Sequence, residues 1–302
     1  MERKHIVVLG SVNTDLVLRC AALPAAGQTV HGSDFRCMPG GKGANQAVAA
    51  ARLGASVRFI GSIGADEFGR AARDNLDAEG IDTRHLREAR DVATGTAMIL
   101  VDASSGQNCI ALSEGANALV DADLVDAAAA DICSAALLVC QLETPTAATL
   151  YAAQLAHGAG VPVLLNPAPA APLDAALLGL VDLLVPNESE AMVLAGLPTH
   201  GPFDAARVLD ALHGMGARSV LVTLGAQGVL HSDSRAQTHH PAQIAHAVDT
   251  SGAGDAFIGA LSAALVAGMP LVAAIEFAQR AASLSVTRHG AMAAMPYLRE
   301  LT

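Results

Sequence analysis

The alternation of apolar runs with helix-like segments is the feature of this sequence that most restricts its fold. Apolar runs such as HIVVLG at residues 5–10 and VRFIGSIG at residues 57–64 are separated by segments with helical spacing, such as GANQAVAAARL at residues 43–53. Strands that are apolar along their whole length are typical of a parallel sheet with helices on both faces. The pattern therefore predicts an α/β fold with a mostly parallel sheet. Of the 302 residues, 52% are hydrophobic and 16% are charged, which is enough for a large buried core.

Two segments do not fit this alternation. Residues 95–112 have the pattern of two strands around a Ser-Ser-Gly-Gln turn, and residues 15–38 begin with a half-exposed strand. We expect these segments to form a small sheet beside the main one, acting as a lid. Because no linker or internal repeat interrupts the sequence, we predict a single domain of residues 1–302 with this lid. Exposed strands of a lid present unpaired backbone groups that another surface must cover. We therefore predict a homodimer formed through the lid strands.

The overall charge and the cysteines restrict the possible functions. The formal net charge is −11, and no cluster of Lys and Arg provides the basic face that nucleic-acid binding requires. Five cysteines without a C-x-x-C pair are typical of a reducing compartment. The apolar runs are shorter than a membrane span. These features predict a cytoplasmic protein that binds neither nucleic acid nor membrane.

A glycine-rich turn, PGGKGANQAVAA, occupies residues 39–50 and opens a predicted helix. It is not a P-loop, because that motif requires Ser or Thr after its Lys, whereas Gly43 follows Lys42. A turn with few side chains still allows backbone N–H groups to approach a polar ligand closely. The alternative is an ordinary glycine turn at the start of a helix.

A second glycine-rich stretch, SGAGD at residues 251–255, precedes a long apolar run. It is not the dinucleotide-binding fingerprint, because Phe257 takes the place of the third glycine. Its backbone N–H groups can form an anion hole for a phosphoryl group, and the carboxylate of Asp255 can accept a proton from an attacking hydroxyl. The alternative is that Asp255 only complements the helix dipole.

Two further turns follow predicted strands. In PNESEA at residues 186–191, Asn187 and Glu190 can form a capping box, or Glu190 can hold Mg²⁺ through water near phosphates. In VTLGAQG at residues 222–228, the glycines can surround a nucleotide or simply close a hairpin.

Several motifs, taken in order, resemble the ribokinase branch of the PfkB family of sugar kinases. They are GSVNTD, GGKGANQA, QLETP, NPAPA, PNESEA and DTSGAGDAFIGAL. The last is a signature of the wider family, and GGKGANQA with NPAPA and QLETP points to the branch. The similarity extends from residue 10 to about residue 296. It implies a ribokinase-like three-layer α/β/α sandwich with a mostly parallel sheet and a small β lid.

The resemblance also implies an activity and the residues that perform it. The activity is ATP-dependent phosphorylation of the 5-hydroxyl of D-ribose, which gives ribose 5-phosphate and ADP. Asp255 is implied as the general base, with an anion hole formed by Gly252, Ala253 and Gly254. The residues implied for sugar binding are Asn13, Asp15, Gly41, Lys42, Asn45 and Glu143, together with Asp255.

ATP, Mg²⁺ and K⁺ are the cofactors that the resemblance implies. The nucleotide-binding residues are implied to be Asn187, Glu190, Thr223, Gly225, Gly228, Gly254 and Gln279. Glu190 is also implied to hold Mg²⁺ through water. A monovalent cation, usually K⁺, is implied beside the anion hole, surrounded by Asp249, Ser251, Arg288 and Gly290. Ala294 departs from the family, which often has a hydroxyl residue at that position.

Other functions remain open at the level of sequence. A PfkB kinase could act on another sugar or on a nucleoside, such as deoxyribose, fructose or adenosine, and the shape of the pocket decides between them. A non-catalytic sugar-sensing protein on the same fold is a further alternative, against which the intact Asp255 and anion hole argue.

Overall fold

The computed structural model describes residues 5–233 and 235–301. The predicted domain of residues 1–302 also includes residues 1–4, 234 and 302, which lie outside the described residues. The strands are β1 (His5–Leu9), β2 (Asn13–Cys20), β3 (Gly32–Gly40), β4 (Ser56–Gly64), β5 (Asp82–Ala89), β6 (Gly95–Asp102), β7 (Asn108–Ser113), β8 (Leu137–Cys140), β9 (Val163–Leu165), β10 (Leu183–Leu184), β11 (Ser219–Thr223), β12 (Val229–Asp233) and β13 (Gln237–His240). The helices are α1 (Lys42–Arg52), α2 (Glu67–Ala78), α3 (Ala122–Ala127), α4 (Ala129–Cys133), α5 (Thr146–Gly158), α6 (Ala175–Leu178), α7 (Glu188–Leu194), α8 (Ala205–Gly214), α9 (Ala253–Val266) and α10 (Leu271–Ser285).

The main sheet has nine strands among the described residues, in the order β13-β12-β11-β10-β9-β8-β1-β4-β5. The strands from β11 to β5 in this order are all parallel, and the two pairings at the other edge, β11–β12 and β12–β13, are antiparallel. The mostly parallel sheet predicted from the apolar runs is therefore confirmed.

Helices cover both faces of this sheet. On β1, Ile6 and Val8 belong to one buried core, whereas Val7 and Leu9 belong to the other. The first core includes apolar residues of α1, α2, α9 and α10, and the second includes those of α3 to α8. Because successive side chains of a strand point to opposite faces, this division shows the predicted α/β/α layering.

Helices α1 and α9 lie unusually close together. A Cβ atom on Gly259 of α9 would lie 2.4 Å from the Cβ of Ala49 and 2.7 Å from the backbone oxygen of Gln46, both on α1. Only glycine permits this approach. The contact fixes α9 relative to α1.

A second sheet of four strands, in the order β3-β2-β6-β7, occurs where the sequence predicts a small separate sheet. Strand β2 is parallel to β6, and the other two pairs, including the predicted β6–β7 hairpin, are antiparallel. The sheet exposes large apolar side chains, namely Phe35, Met98, Ile110 and Leu112.

Some elements differ from the sequence pattern. Strand β5 was not predicted, because its sequence DTRHLREA alternates polar and apolar residues instead of forming an apolar run. It is the edge strand of the main sheet, where one face is partly exposed. Within the described parts of the chain, none of the helices combines the length and the hydrophobicity needed to cross a membrane.

Candidate active site

The candidate site lies where the parallel strands of the main sheet end. Glu143 follows β8, Asn166 follows β9, Asn187 follows β10 and Thr223 ends β11. Ligands of open α/β sheets bind outside the carboxyl ends of the strands. The helices that follow these strands therefore present their amino-terminal turns to the same region.

The SGAGD stretch forms the amino-terminal turn of α9. Gly252, the residue before the helix, has a left-handed backbone with φ of 72°. A Cβ atom there would lie 2.9 Å from the Cα of Ala291. The left-handed backbone and this overlap both require glycine at position 252. Asp255 lies in the first turn and is buried. The free N–H groups of this turn can bind an anion, as the sequence predicts.

Two side-chain amides of α1 hold the carboxylate of Asp255. Asn45 donates from Nδ2 to Oδ2 at 2.9 Å, and Gln46 donates from Nε2 to Oδ1 at 2.9 Å. Burial raises the pKa of Asp255 above its ordinary value, and Glu143 adds to this increase. Lys42 and the two amides partly oppose it. A buried carboxylate with a raised pKa is suited to accept a proton from a substrate.

The glycine-rich turn before α1 passes close to β2. Gly41 has φ of 91°, and a Cβ atom there would lie 2.7 Å from the backbone nitrogen of Asn13. The backbone N–H of Lys42 donates to Oε2 of Glu143 at 3.1 Å, and Ser11 donates to the same oxygen from Oγ at 2.5 Å. The turn thus has the glycine requirement that the sequence suggests, and it fixes a carboxylate beside the predicted sugar-binding residues.

Asn13 and Asp15 come to this region from the second sheet. Oδ1 of Asn13 accepts a hydrogen bond of 2.8 Å from Nδ2 of Asn117, so the Nδ2 of Asn13 is left to donate. Burial raises the pKa of Asp15 to about 6, and the negative charges of Glu143 and Asp255 contribute to the increase. The predicted sugar-binding acids therefore lie near one another.

A cavity of about 180 Å³ connects the predicted base with the predicted anion hole. It is lined by Lys42, Asn166, Ala168, Val185, Asn187, Glu190, Thr223, Thr250, Gly252, Ala253, Gly254, Asp255 and Ile258. A cation, a carboxylate and the start of α9 thus face one cavity. This combination can hold a phosphoryl group and remove a proton from a hydroxyl beside it.

A second cavity, of about 520 Å³, adjoins the first and shares Asn187, Thr223, Thr250, Ala253 and Gly254 with it. Its remaining lining includes Gly225 and Gly228 of the β11–β12 turn, together with Gln279, Ile244 and Phe257. The turn both closes a hairpin and lines the cavity, so the two interpretations of VTLGAQG are compatible. Nε2 of Gln279 donates to the backbone oxygen of His240 at 2.8 Å, which leaves the amide oxygen of Gln279 as its acceptor.

Asn187 and Glu190 form the capping box that the sequence suggests. Oδ1 of Asn187 accepts from the backbone N–H of Glu190 at 2.8 Å, and Oε2 of Glu190 accepts from the backbone N–H of Asn187 at 2.8 Å. Burial raises the pKa of Glu190, against the opposing effect of Lys42. Both residues also line the first cavity. The second oxygen of a hard carboxylate at this place fits a hydrated Mg²⁺.

The residues predicted to surround a monovalent cation lie on adjacent loops. Asp249 accepts from the backbone N–H of Ser251 at Oδ1 and from that of Gly290 at Oδ2, both at 2.9 Å. Burial raises the pKa of Asp249, but these hydrogen bonds outweigh it and leave the pKa lowered. The guanidinium of Arg288 instead forms an ion pair of 2.6 Å with Glu300. Of the groups of Arg288, the backbone carbonyl therefore suits a cation, and the ionised carboxylate of Asp249 is compatible with K⁺.

The sequence did not identify four polar residues that organise the site. They are Ser11, Gln46, Asn117 and Asn166, and each is buried. Three of them lie in quoted motifs, Ser11 in GSVNTD, Gln46 in GGKGANQA and Asn166 in NPAPA. The signal that could have found them is an amide in an otherwise apolar helix or strand end, since buried amides need partners.

Comparisons with known proteins agree with this geometry. The family model described as pfkB family carbohydrate kinase matches residues 3–298. A ribokinase of Haemophilus influenzae is 41% identical over 298 residues, which are 99% of this chain and 97% of that protein. A deoxyribokinase of Salmonella typhi is 36% identical over 296 residues, covering 98% of this chain and 96% of that protein. The structure of Arabidopsis thaliana ribokinase complexed with ribose and ATP superimposes with a TM-score of 0.90 at 31% identity, covering 99% of this chain and 97% of that chain.

Proposed function

The chain belongs to the pfkB family of carbohydrate kinases, and we propose that it transfers the γ-phosphoryl group of ATP to the 5-hydroxyl of D-ribose. The products are ribose 5-phosphate and ADP. The observation that carries the proposal is the cavity in which the buried carboxylate of Asp255, the amino-terminal turn of α9 and Lys42 meet. The ribokinases of other organisms that match nearly the whole chain support ribose as the acceptor.

Polar groups beside Asp255 suit a polyhydroxylated sugar. Among the described residues, the buried Oδ1 of Asn45 has no hydrogen-bond partner. A buried acceptor without a partner costs stability, and a sugar hydroxyl can satisfy it. Asn13 offers a donor, and Asp15 and Glu143 offer acceptors, for further hydroxyl groups. Gly41 and Lys42 place the backbone of the turn against this pocket.

The proposed reaction is an in-line displacement at phosphorus. Asp255 accepts the proton of the 5-hydroxyl as its oxygen forms a bond to the γ-phosphorus. The bond from that phosphorus to the β–γ bridging oxygen breaks, and ADP leaves with the electron pair. The backbone N–H groups of Gly252, Ala253 and Gly254 stabilise the charge on the transferring group. Asp255 returns its proton to water after the products leave.

The second cavity is proposed to hold the adenosine part of ATP. Gly225 and Gly228 leave room for the nucleotide, Phe257 and Ile244 provide apolar contact, and Gln279 provides a hydrogen-bond acceptor. Asn187 and Thr223 lie between this cavity and the phosphate side.

Two ions are part of the proposal. Glu190 would hold Mg²⁺ through water, and Mg²⁺ neutralises charge on the phosphates of ATP when bound. Asp249, Ser251 and the backbone of Arg288 and Gly290 would hold K⁺, which supplies positive charge next to the anion hole. The buried Ala294 adds no hydroxyl ligand there, and we expect backbone carbonyl groups to complete the site.

We further propose that the second sheet is a lid and that two copies of the chain pair through it. Ile110 and Leu112, which are 57% and 47% exposed, continue the face on which Asp15 lies, since Asp15 pairs with Ala97 and Ala97 with Leu112. A partner that covers this face would remove apolar surface from water. A cytoplasmic location is proposed because ATP is used and because the cysteines, three of them exposed, are free thiols.

A panel of acceptors with MgATP tests the function. Release of ADP is measured by a coupled assay with ribose, 2-deoxyribose, fructose and adenosine, each with K⁺ and with Na⁺. We expect ribose to give the highest kcat/KM and K⁺ to increase it. Preference for 2-deoxyribose would assign the function of the related deoxyribokinase. Absence of phosphorylation with every acceptor, in protein that binds ribose and is folded, would favour a sugar-sensing protein.

A further inference from the structure

A chain of buried side-chain amides lies behind Asp255. Nδ2 of Asn166 donates to the backbone oxygen of Val185 at 2.9 Å, and Oδ1 of Asn166 accepts from Nε2 of Gln46 at 3.1 Å. The same Nε2 donates to Oδ1 of Asp255 at 2.9 Å. On the other side, Oε1 of Gln46 accepts from Nε2 of Gln141 at 2.7 Å. These residues come from three strand ends and two helices, and the three amides are buried.

The donor–acceptor direction of these hydrogen bonds is fixed at the end where Asn166 meets Val185. The carbonyl oxygen of Val185 can only accept, so the Asn166 amide must present its nitrogen there and its oxygen to Gln46. The Gln46 amide must then present its nitrogen to Asn166. A flipped Gln46 would place its oxygen against two acceptors, Oδ1 of Asn166 and the carboxylate of Asp255. The donor that faces Asp255 is therefore determined by a backbone carbonyl two hydrogen bonds away.

Gln46 is also held from its oxygen side. Gln141 donates to it, and the other polar atom of Gln141, Oε1, packs against Gly10, where a Cβ atom would lie 2.1 Å from that oxygen. A side chain at residue 10 would displace Gln141. The amide of Gln46 thus has all of its hydrogen-bonding groups occupied, which leaves it one orientation.

We propose that Gln46 is a positioning residue for phosphoryl transfer, whose amide, oriented by Val185, Asn166 and Gln141, keeps Asp255 ionised and turned toward the acceptor hydroxyl. This role rests on the proposed function of Asp255 as the base. A carboxylate that accepts two amide hydrogen bonds, from Gln46 and Asn45, keeps its remaining lone pairs for the substrate proton.

The other charged groups around Asp255 do not, taken together, stabilise its ionised form. Lys42 of α1 favours the ionised form, whereas Glu143 after β8 disfavours it. Asp15 of β2 and Glu190 of α7 also interact with Asp255 through like charge. One cation therefore faces three acids, and the amides supply the additional stabilisation of the negative charge. Without the Gln46 donor, Asp255 should hold its proton to higher pH.

The test is the pH dependence of phosphoryl transfer in the variant Gln46→Met. Methionine keeps the length of the side chain and removes the three hydrogen bonds of the amide, to Asp255, to Asn166 and from Gln141. The readout is the single-turnover rate constant with saturating ribose and MgATP, measured by chemical quench from pH 5 to pH 9. We expect the acidic limb of this profile to move upward by about one to two pH units, because a hydrogen bond to a charged group has about that effect. The rate should recover toward that of the wild type at high pH.

Two controls separate this effect from others. Thr149→Val removes a buried hydroxyl of α5 that has no hydrogen-bond partner among the described residues and lines neither cavity, and it should leave the limb in place. Because burial raises the pKa of Asp15 to about 6, inside the measured range, the same pair of profiles is measured in an Asp15→Asn background, where the shift should persist. A loss of rate that is equal at every pH, or an unchanged limb in folded Gln46→Met, would overturn the proposal.

A second measurement does not depend on the folding of the variant. Neutron diffraction from crystals of the deuterated wild-type protein should show the two deuterium atoms of Gln46 directed at Asp255 and Asn166. An oxygen of Gln46 in that place would overturn the proposal. The proposed function fails separately, because it falls if Asp255→Asn retains near-normal turnover. If Asp255→Asn is inactive while Gln46→Met keeps the wild-type limb, only the role of Gln46 falls.

Discussion

Asp255 shares its surroundings with Asp15 and Glu143, and this grouping of acids explains the electrostatics of the site. The charges of Glu143 and Asp255 disfavour the ionisation of Asp15, and Glu143 also disfavours the ionisation of Asp255, which Lys42 favours. Binding of a sugar supplies hydroxyl donors to these carboxylate oxygens. Binding of ATP together with its metal ions adds the negative charge of the phosphates and the positive charge of the ions. The apo protein therefore carries unfavourable interactions that its proposed substrates relieve.

The first prediction concerns Asp255→Asn. We expect the turnover to fall roughly 10²–10⁴-fold, because a positioned acid–base group contributes about that much. Ribose binding, measured by calorimetry, should be largely retained, since the amide keeps the shape of the side chain. Asp123→Asn is the matched control, because Asp123 is also an acid in the first turn of a helix but is exposed on α3. Near-normal turnover of Asp255→Asn would remove it from the role of base.

The second prediction concerns the stability of the apo protein with Asp15→Asn. The pKa of Asp15 is raised to about 6 from 3.8, so the folded state binds this proton more tightly than the unfolded state does. The cost of ionising Asp15 is therefore complete above pH 6 and disappears as the pH falls toward 4. Asp15→Asn should increase the free energy of unfolding at pH 8 by at most about 3 kcal/mol, less any solvent screening, and by much less at pH 4.

Urea denaturation at the two pH values measures this difference. Asp102→Asn is the control of opposite sign, because hydrogen bonds from Ser104 and Ser105 lower the pKa of Asp102 to about 2. That variant should be less stable than the wild type at pH 8. An Asp15→Asn variant whose stability tracks the wild type at both pH values would contradict the prediction.

Single residues also show which parts of the candidate site can be predicted from the sequence. Asp255, Asn45 and Lys42 stand in recognisable motifs, so their place in one site could be predicted from resemblance. Gln46 stands next to Asn45, but its function depends on Asn166 and Gln141, which lie 120 and 95 residues away along the chain. The orientation of the Gln46 amide is set only when these three amides come together in the folded protein. No local sequence pattern predicts it.

At the scale of elements, helices α1 and α9 act as one unit because Gly259 lets them approach closely. The third prediction is that Gly259→Ala destabilises the protein by about 1–3 kcal/mol, because the added Cβ overlaps Ala49 and the backbone of Gln46. It should also lower kcat, since Asn45 and Gln46 on α1 move relative to Asp255 on α9.

Thermal unfolding and steady-state kinetics measure these two effects. Gly158→Ala, at the end of α5, is the matched control, because a Cβ atom there meets no other atom within 4 Å. That change should be neutral or slightly stabilising. If Gly259→Ala behaves like Gly158→Ala, the two helices are not rigidly coupled.

Elements also differ in how well the sequence predicts them. Buried strands such as β1 and β8 follow from apolar runs, since both of their faces are covered. Strand β5 does not, because an edge strand with a partly exposed face has a mixed pattern. Helices α3, α4 and α6 are between four and six residues long, too short for a helical period to be visible.

At the scale of the whole molecule, the two faces of the second sheet have different neighbours. Ile110 pairs with Ile99, which pairs with Val17, so these side chains share the face of Asp15. Met98 pairs with Ala111 and lies on the opposite face. The proposed homodimer uses the face of Ile110, which continues from the proposed sugar-binding residue Asp15.

The fourth prediction follows from this difference. Ile110→Glu should shift the protein from dimer to monomer in sedimentation velocity, because a charge would be buried at the interface. Met98→Glu is the matched control, as Met98 is 60% and Ile110 is 57% exposed, and it should leave the sedimentation coefficient unchanged. A monomeric wild-type protein, or equal effects of the two variants, would contradict this arrangement.

The division of the sugar pocket between the second sheet and the two close-packed helices has an evolutionary consequence. Asn13 and Asp15 belong to strand β2, whereas Asn45 and Asp255 belong to α1 and α9. Substitutions on a few strand positions can therefore change the contacts with the acceptor while Asp255 and the turn before α9 keep their places. In this way one ancestral fold can evolve to accept different alcohols while the groups that bind the phosphates are unchanged.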